Sequence, residues 1–190
     1  MELIKMLEKS KALLKGHFLL SSGLHSDAYI QCAKLLENTH YAQEVGKALA
    51  EKLKIFEPDC IVSPALGGVV IGYEVARMLG INFIFTERDG SGEMVFRRGF
   101  DPTIYKRPVV VEDVVTTGKS TKEVLKILRG NSVSPVATSA IVSRQRREDI
   151  DGLPFVCLET IQIKAFKPEE CPLCKAGVPL VKPGSRKKFS

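Results

Sequence analysis

The sequence predicts an α/β fold, a parallel doubly wound sheet flanked by helices. Three observations predict it. The runs Cys60-Ile61-Val62 and Val109-Val110-Val111 are apolar at every position, as strands covered on both faces must be. Helical stretches at 69–79 and 118–129 follow those runs. Each strand–helix junction carries a polar, glycine-bearing loop, at 63–68 and 112–118.

Taken in order, residues 2–14 place Leu3, Ile4, Met6, Leu7, Leu13 and Leu14 on one face, which predicts an amphipathic helix ended by Gly16. Residues 17–36 read as short strands with a turn at Ser21-Ser22-Gly23. Asn38 or Thr39 can cap a helix running to about Lys54, with Tyr41, Val45, Ala48, Leu49 and Leu53 facing inward. Pro58-Asp59 break the chain. Strands follow at 60–62, 82–85, 109–111, 133–142 and 155–158, with the two helices between. The polar stretch 87–107 predicts a hairpin of 94–97 against 103–105. The last 25 residues hold Pro168, Pro172, Pro179 and Pro183 and read as irregular.

The bulk numbers bound the function. A chain of 190 residues suits one domain. No apolar run is long enough to cross a bilayer, and the N-terminus lacks the apolar core of a signal peptide, so a cytoplasmic protein is expected. The net charge of +6, partly in Arg186-Lys187-Lys188, suits a polyanionic partner. With 7% aromatics, no Trp and no recognition motif, nucleic acid is not expected; a small polyphosphate is.

Residues 109–121 carry the chemistry. An apolar strand ends in Glu112-Asp113, the loop Val114-Val115-Thr116-Thr117-Gly118 follows, and a helix starts near Lys119 or Ser120. The helix N-terminus offers free N–H groups and the positive end of its dipole. Thr116, Thr117, Ser120 and Thr121 add hydroxyls, and Gly118 lets the backbone come close. That suits a phosphate monoester. The two carboxylates would repel a phosphate set against them, but they can accept hydrogen bonds from a ribose diol. The segment therefore reads as a ribose 5-phosphate site. Gly118-Lys119-Ser120 looks like the end of a P-loop, yet that motif needs glycine at position 113, where Asp stands. Ordinary capping by Thr and Ser leaves Glu112-Asp113 unexplained.

This segment resembles the phosphoribosyl diphosphate (PRPP) signature of the type I phosphoribosyltransferases: four apolar residues, two acidic ones, then a Thr-Thr-Gly-x-Ser loop. The resemblance implies that fold over residues 1–190 as a single domain. Residues 1–36 would form an N-terminal helix and hood, 37–164 the core, and 165–190 an irregular tail. The loop Ser63-Pro64-Ala65-Leu66-Gly67-Gly68 is similar to the family's pyrophosphate loop, which points to Ala65, Leu66, Gly67 and Gly68. The polar segment 87–99 is similar in place to the family's mobile loop, and Arg88 is its expected cation on the leaving group. Arg97 and Arg98 read equally as surface residues.

For the acceptor base, Ser143-Arg144-Gln145 at the end of the fourth strand resembles the orotate enzymes' Asp-Arg-Gln segment, whose arginine binds orotate. Ser143 replaces the usual Asp. Alternatively, Arg144, Arg146 and Arg147 form a solvated charge run. Phe18 to Tyr29 resembles the hood of those enzymes, with Phe18, Leu20, Ser22, Gly23 and Ser26 matching. The tail through Cys171-Pro172-Leu173-Cys174 resembles a branch of orotate enzymes from thermophilic bacteria. The resemblance thus implies a transferase of pyrimidine biosynthesis that is a homodimer and uses Mg2+. Magnesium is expected on substrate oxygens rather than on side chains. Glu112 and Asp113 would hold the ribose, 114–121 the 5′-phosphate, and Arg144, Thr116, Ser22, Gly23 and Tyr29 the orotate. A purine phosphoribosyltransferase and a PRPP-sensing regulator are the alternatives.

Five cysteines without an export signal do not suggest a disulfide scaffold. Cys171 and Cys174 are half of a tetrahedral zinc site, or else a fold-back disulfide or plain turn. The histidines His17, His25 and His40 are scattered.

Overall fold

The computed structural model describes residues 2–20 and 22–183. Ser21 and the basic run Arg186-Lys187-Lys188 lie outside the described residues. The strands are β1 (Leu13–Leu19), β2 (His25–Ile30), β3 (Cys60–Pro64), β4 (Asn82–Arg88), β5 (Met94–Phe96), β6 (Pro108–Val115), β7 (Ala137–Ser143), β8 (Asp149–Ile150), β9 (Leu153–Thr160) and β10 (Ala165–Phe166). The helices are α1 (Leu3–Lys9), α2 (Cys32–Leu36), α3 (Thr39–Leu53), α4 (Gly67–Leu79), α5 (Lys119–Gly130) and α6 (Pro172–Lys175).

The main sheet has seven strands in the order β5-β4-β3-β6-β7-β9-β8. Its five central strands are parallel, and β5 and β8 join antiparallel at the edges. The side-chain alternation of the strands explains why helices cover both faces. Ile61, Val109, Val111 and Ile141 pack with Leu49 of α3 and Val75 of α4. Their neighbours Val62, Val110 and Ala140 pack with Val124, Leu125 and Leu128 of α5. With both faces covered, the whole of β7 is buried, and its sequence accordingly carries no charged residue. Asn38 caps α3 by accepting from the backbone N–H of His40 and Tyr41, as its place before the apolar pattern predicts.

A second sheet, ordered β1-β2-β10, forms the hood. Here the structure departs from the sequence expectation. The first helix stops at Lys9, and Leu13 and Leu14 belong to β1. Lys11 takes a left-handed φ of 56°, which ends the helical repeat although the apolar spacing continues. Gly16 lies inside β1 rather than at a helix end. Residues 32–36, expected extended, are helical. The hairpin in 87–107 is β4 with β5, pairing Thr86 with Phe96 and Arg88 with Met94. Residues Pro102–Ile104 form a 3-10 turn instead of a strand. The tail, expected irregular from 165, contributes β10 and α6. Its Ala165 pairs with Ser26 on one edge of the hood, and Val181 bridges Phe18 on the other.

Candidate active site

The parallel register brings the carboxyl ends of β3, β6 and β7 side by side, where open α/β sheets bind ligands. β6 runs longer than its apolar core, so Glu112-Asp113-Val114-Val115 are still strand residues. Val115 pairs with Ser143, and the backbone N–H of Arg144 donates to Val115 O at 2.8 Å. Arg144 thus stands next to the loop that starts α5.

Two helix N-termini open at these strand ends, those of α4 and α5. Neither has a capping bond from its N-cap side chain, in contrast to α3. Thr117 Oγ1 only grazes the Lys119 N–H at 3.4 Å. Uncapped first turns keep N–H donors and dipole charge for an anion. Gly118 is left-handed at φ 80°, the turn that swings the chain from β6 into α5. The other hydroxyl-bearing loop does not exist at α4; there the peptide Ala65–Leu66 is cis and the donors are backbone groups of Gly67 and Gly68. Gly67 must lack a side chain, because a Cβ there would lie 2.7 Å from Asp113 Oδ1. The glycine loop and the acidic pair therefore meet.

The two carboxylates are held differently. Glu112 is buried and accepts from Thr121 Oγ1 at 2.7 Å. Burial pushes its carboxyl up to about 7, against the Thr121 hydrogen bond, with Asp113 adding repulsion. Asp113 Oδ1 accepts from its neighbour's N–H, that of Val114, at 2.8 Å. Burial raises its pKa too, and that backbone bond offsets part of the rise. A buried and a partly buried carboxyl group side by side suit a partner that donates hydrogen bonds to them, as a diol does.

Arg144 is half-buried, and its Nε is buried without a hydrogen-bond partner among the described residues. Burial pulls the guanidinium below its usual pKa, and the charge of Asp27 offsets part of that. A buried unpaired guanidinium nitrogen invites an anionic ligand. Arg147 Nε is also buried without a partner among the described residues, but the rest of its guanidinium is committed to structure. It donates to Thr116 O at 2.6 Å and lies over Phe155, 5.9 Å from the ring centre. It braces the loop before α5, a role hidden in the run Arg144 to Arg147 because sequence does not say which arginine turns inward.

Other expected residues are engaged in contacts of their own or are exposed. Arg88 at the end of β4 donates to Gly92 O and to Glu123 Oε2 on α5, both at 2.7 Å. Arg98 pairs with Glu87 and covers Phe85, so it is a hairpin residue. Ser22 and Gly23 lie on the exposed turn between β1 and β2, closed by Gly23 N–H to Leu20 O. Tyr29 on β2 packs 5.9 Å from Phe18, ring to ring. Thr116 and Lys119 are exposed at the loop. Cys171 and Cys174 stand with His17 and His25 at the hood, outside the strand-end site.

A sheet end with paired carboxylates, a hydroxyl-rich loop and two uncapped helices is matched over residues 31–172 by the family described as the phosphoribosyl transferase domain, and the chain belongs to that family. It is 46% identical to the orotate phosphoribosyltransferase of Caldanaerobacter subterraneus, over 98% of this chain and 97% of that one. It is 45% identical to the orotate phosphoribosyltransferase of Thermotoga maritima, over 96% and 97%. Within the family, the chain is one of the orotate phosphoribosyltransferases. Among solved structures, orotate phosphoribosyltransferase from Aeropyrum pernix superposes with a TM-score of 0.70 at 25% identity, covering 84% of this chain and 94% of that one. An adenine phosphoribosyltransferase from Thermoanaerobacter pseudethanolicus shares the fold, with a TM-score of 0.60 at 17% identity, 70% and 88% covered. The fold is thus common to enzymes of different bases.

Proposed function

We propose that this chain transfers the phosphoribosyl group of PRPP to orotate, releasing diphosphate and forming orotidine 5′-monophosphate in pyrimidine biosynthesis. The observation that carries the choice of base is Arg144, whose buried Nε has no partner within the described residues. Orotate has a carboxylate that a guanidinium fork binds through two parallel bonds. Adenine has none.

In this reading the first turn of α5 and the hydroxyls of Thr116, Thr117 and Ser120 hold the 5′-phosphate, whereas the buried Thr121 hydroxyl, expected there, is spent on Glu112. Glu112 and Asp113 accept from the ribose hydroxyls and stabilise the positive charge that grows on the sugar as diphosphate departs. The loop 65–68 takes the diphosphate through its backbone N–H groups. Arg144 orients orotate so that its ring nitrogen faces C1 of the ribose. Ser22, Gly23 and Tyr29 of the hood cover the base. Arg88 reaches the diphosphate after exchanging its bond to Glu123. The bond to the diphosphate oxygen breaks and the bond to the base nitrogen forms, with no nucleophilic side chain required.

Mg2+ bound to the diphosphate and ribose oxygens would supply charge neutralisation. The residues fit that arrangement. The adjacent carboxylates Glu112 and Asp113 at the end of β6 suit an ion that would be held mainly by substrate and water oxygens. A homodimer is supported by the outer face of α4 and the loop before it. Leu66, Val70 and Tyr73 are 85%, 46% and 57% exposed there, one apolar row at helical spacing. No helix among the described residues is long and apolar enough to cross a membrane, and five free cysteines suit the reducing cytoplasm.

Steady-state kinetics of Arg144→Ala test the assignment. The KM for orotate rises at least about tenfold while the KM for PRPP stays within about twofold. Equal loss for both substrates would move Arg144 out of the base site.

A further inference from the structure

We propose that His17, His25, Cys171 and Cys174 form a structural zinc site that fastens the C-terminal tail to the hood. The four ligand atoms, His17 Nε2, His25 Nδ1 and the two Sγ atoms, all lie within 4.8 Å of one another. The individual approaches are 2.9 Å between the imidazole nitrogens, 3.5 and 3.7 Å from His17 Nε2 to Cys171 and Cys174, and 3.2 Å from Cys174 to His25 Nδ1. A tetrahedral zinc ion with bonds of about 2.05 Å to N and 2.3 Å to S has edges of about 3.4 Å for N···N and 3.6 Å for N···S. The three N···S approaches straddle their edge, and the N···N approach is about 0.5 Å shorter than its own.

Hydrogen-bond accounting favours the ion over a simple polar cluster. His17 Nδ1 lies 2.8 Å from Val178 O, which only accepts, so Nδ1 carries the proton and Nε2 presents a lone pair. If His25 Nδ1 donates to that lone pair, the Cys171 thiol loses its acceptor; if His25 Nδ1 instead accepts from Cys174, two imidazole lone pairs face each other at 2.9 Å. One lone pair satisfies one donor, and His17, His25 and Cys171 are buried, away from water that could serve the rest. A cation at the centre satisfies all four at once. The bond from His17 to Val178 O is then the outer contact that fixes the tautomer and aims the ring. Two thiolates and two imidazoles select zinc, and two thiolate charges balance its own. All four positions are filled by protein, so the site holds structure and leaves no place for a reacting ligand.

The site has a mechanical task. His17 lies on β1 and His25 on β2, while the cysteines flank and enter α6. The tail leaves the β2 edge of the hood at β10 and meets the β1 edge at Val181. Cys171 and Cys174 lie in the crossing between. Cys174 and His25 are 149 residues apart in sequence, so a metal link removes much freedom from the unfolded chain.

Metal analysis of the untagged protein, purified without chelator from zinc-supplemented cells, tests the site. The wild type carries about one zinc per chain, and Cys174→Ser and His25→Asn lose it. Cys157→Ser, a cysteine outside the cluster, keeps it. Replacing zinc by cobalt gives the intense visible bands of tetrahedral thiolate-bound Co2+. Removing the metal from wild type lowers Tm by about 5 °C or more. A wild type without zinc, whether its Cys171 and Cys174 titrate as free thiols or are joined as a disulfide, would overturn the proposal. So would full zinc occupancy in folded Cys174→Ser, or a weak octahedral cobalt spectrum. None of these readings depends on which base the enzyme uses.

Discussion

Thr121 on the first turn of α5 donates its hydroxyl to Glu112 Oε2 on β6 at 2.7 Å, and it ties the phosphate-loop helix to the acidic pair. The threonine is fully buried, so this bond does not compete with water. The helix start proposed to receive the phosphate and the carboxylate proposed to receive the ribose are thereby held in one register.

Glu112→Gln separates stability from catalysis. Burial favours the neutral acid, so folded Glu112 keeps its proton up to about 7, whereas the unfolded chain releases it near the usual 4.5. The stability this contributes is fully present below the unfolded value and is lost as pH rises through 7. Glutamine stays neutral at every pH. The ligand-free variant therefore unfolds at higher temperature than wild type at pH 8.5, by about 1–3 kcal/mol of stability, and the gain vanishes near pH 4.5. Its kcat at pH 8.5, where wild-type Glu112 is ionised, falls about 10- to 100-fold, because the charge proposed to face the sugar is gone. Thermal melts across pH check the first statement; a variant less stable at pH 8.5 contradicts it.

Gly67→Ala probes the meeting of the glycine loop with the acidic pair. The new methyl would sit 2.7 Å from Asp113 Oδ1 and must displace that carboxylate. Alanine is otherwise acceptable at the start of a helix. The expected result is a PRPP affinity lower by about tenfold or more, with Tm within about 3 °C of wild type, read by calorimetric titration and melting. Unchanged PRPP binding would place the sugar elsewhere.

Arg88 and Glu123 distinguish a catalytic cation from a surface pair. The pair is partly exposed, so breaking it costs stability no more than about 1 kcal/mol. If Arg88 takes the diphosphate during turnover, Arg88→Ala lowers kcat about tenfold or more while Glu123→Gln leaves it within about twofold. Equal, small effects of the two changes would leave Arg88 as a structural residue of the β4–β5 hairpin.

The sequence reveals most where local chemistry and regular structure coincide. β6, the loop and α5 were legible because apolar run, acidic pair and Thr-Thr-Gly follow one another in 109–121. β3 and α4 were legible for the same reason. The boundary between α1 and β1 was not, since Leu13 and Leu14 continue the helical spacing past a backbone reversal at Lys11. The partner of β5 was missed because residues 94–97 are equally apolar toward either neighbour, and the turn at 89–92 is held by the Asp89 side chain accepting from Ser91 and Glu93 N–H. Arg144 stood out by its place at a strand end, but its difference from Arg147 is purely spatial. The four ligands His17, His25, Cys171 and Cys174 were least legible. Only the cysteine pair is local; the histidines join it across the hood and tail pairing.

The most direct measurement of the central claim is a paired turnover assay. Purified enzyme is given PRPP and Mg2+ with orotate or with adenine, and nucleotide products are separated and counted. Orotidine 5′-monophosphate and diphosphate should form in equal amounts from orotate, with adenine turned over at least about a thousandfold more slowly, as expected where a buried arginine is left unpaired by the wrong base. Preferred consumption of adenine, or binding of PRPP without consumption of either base, would contradict it.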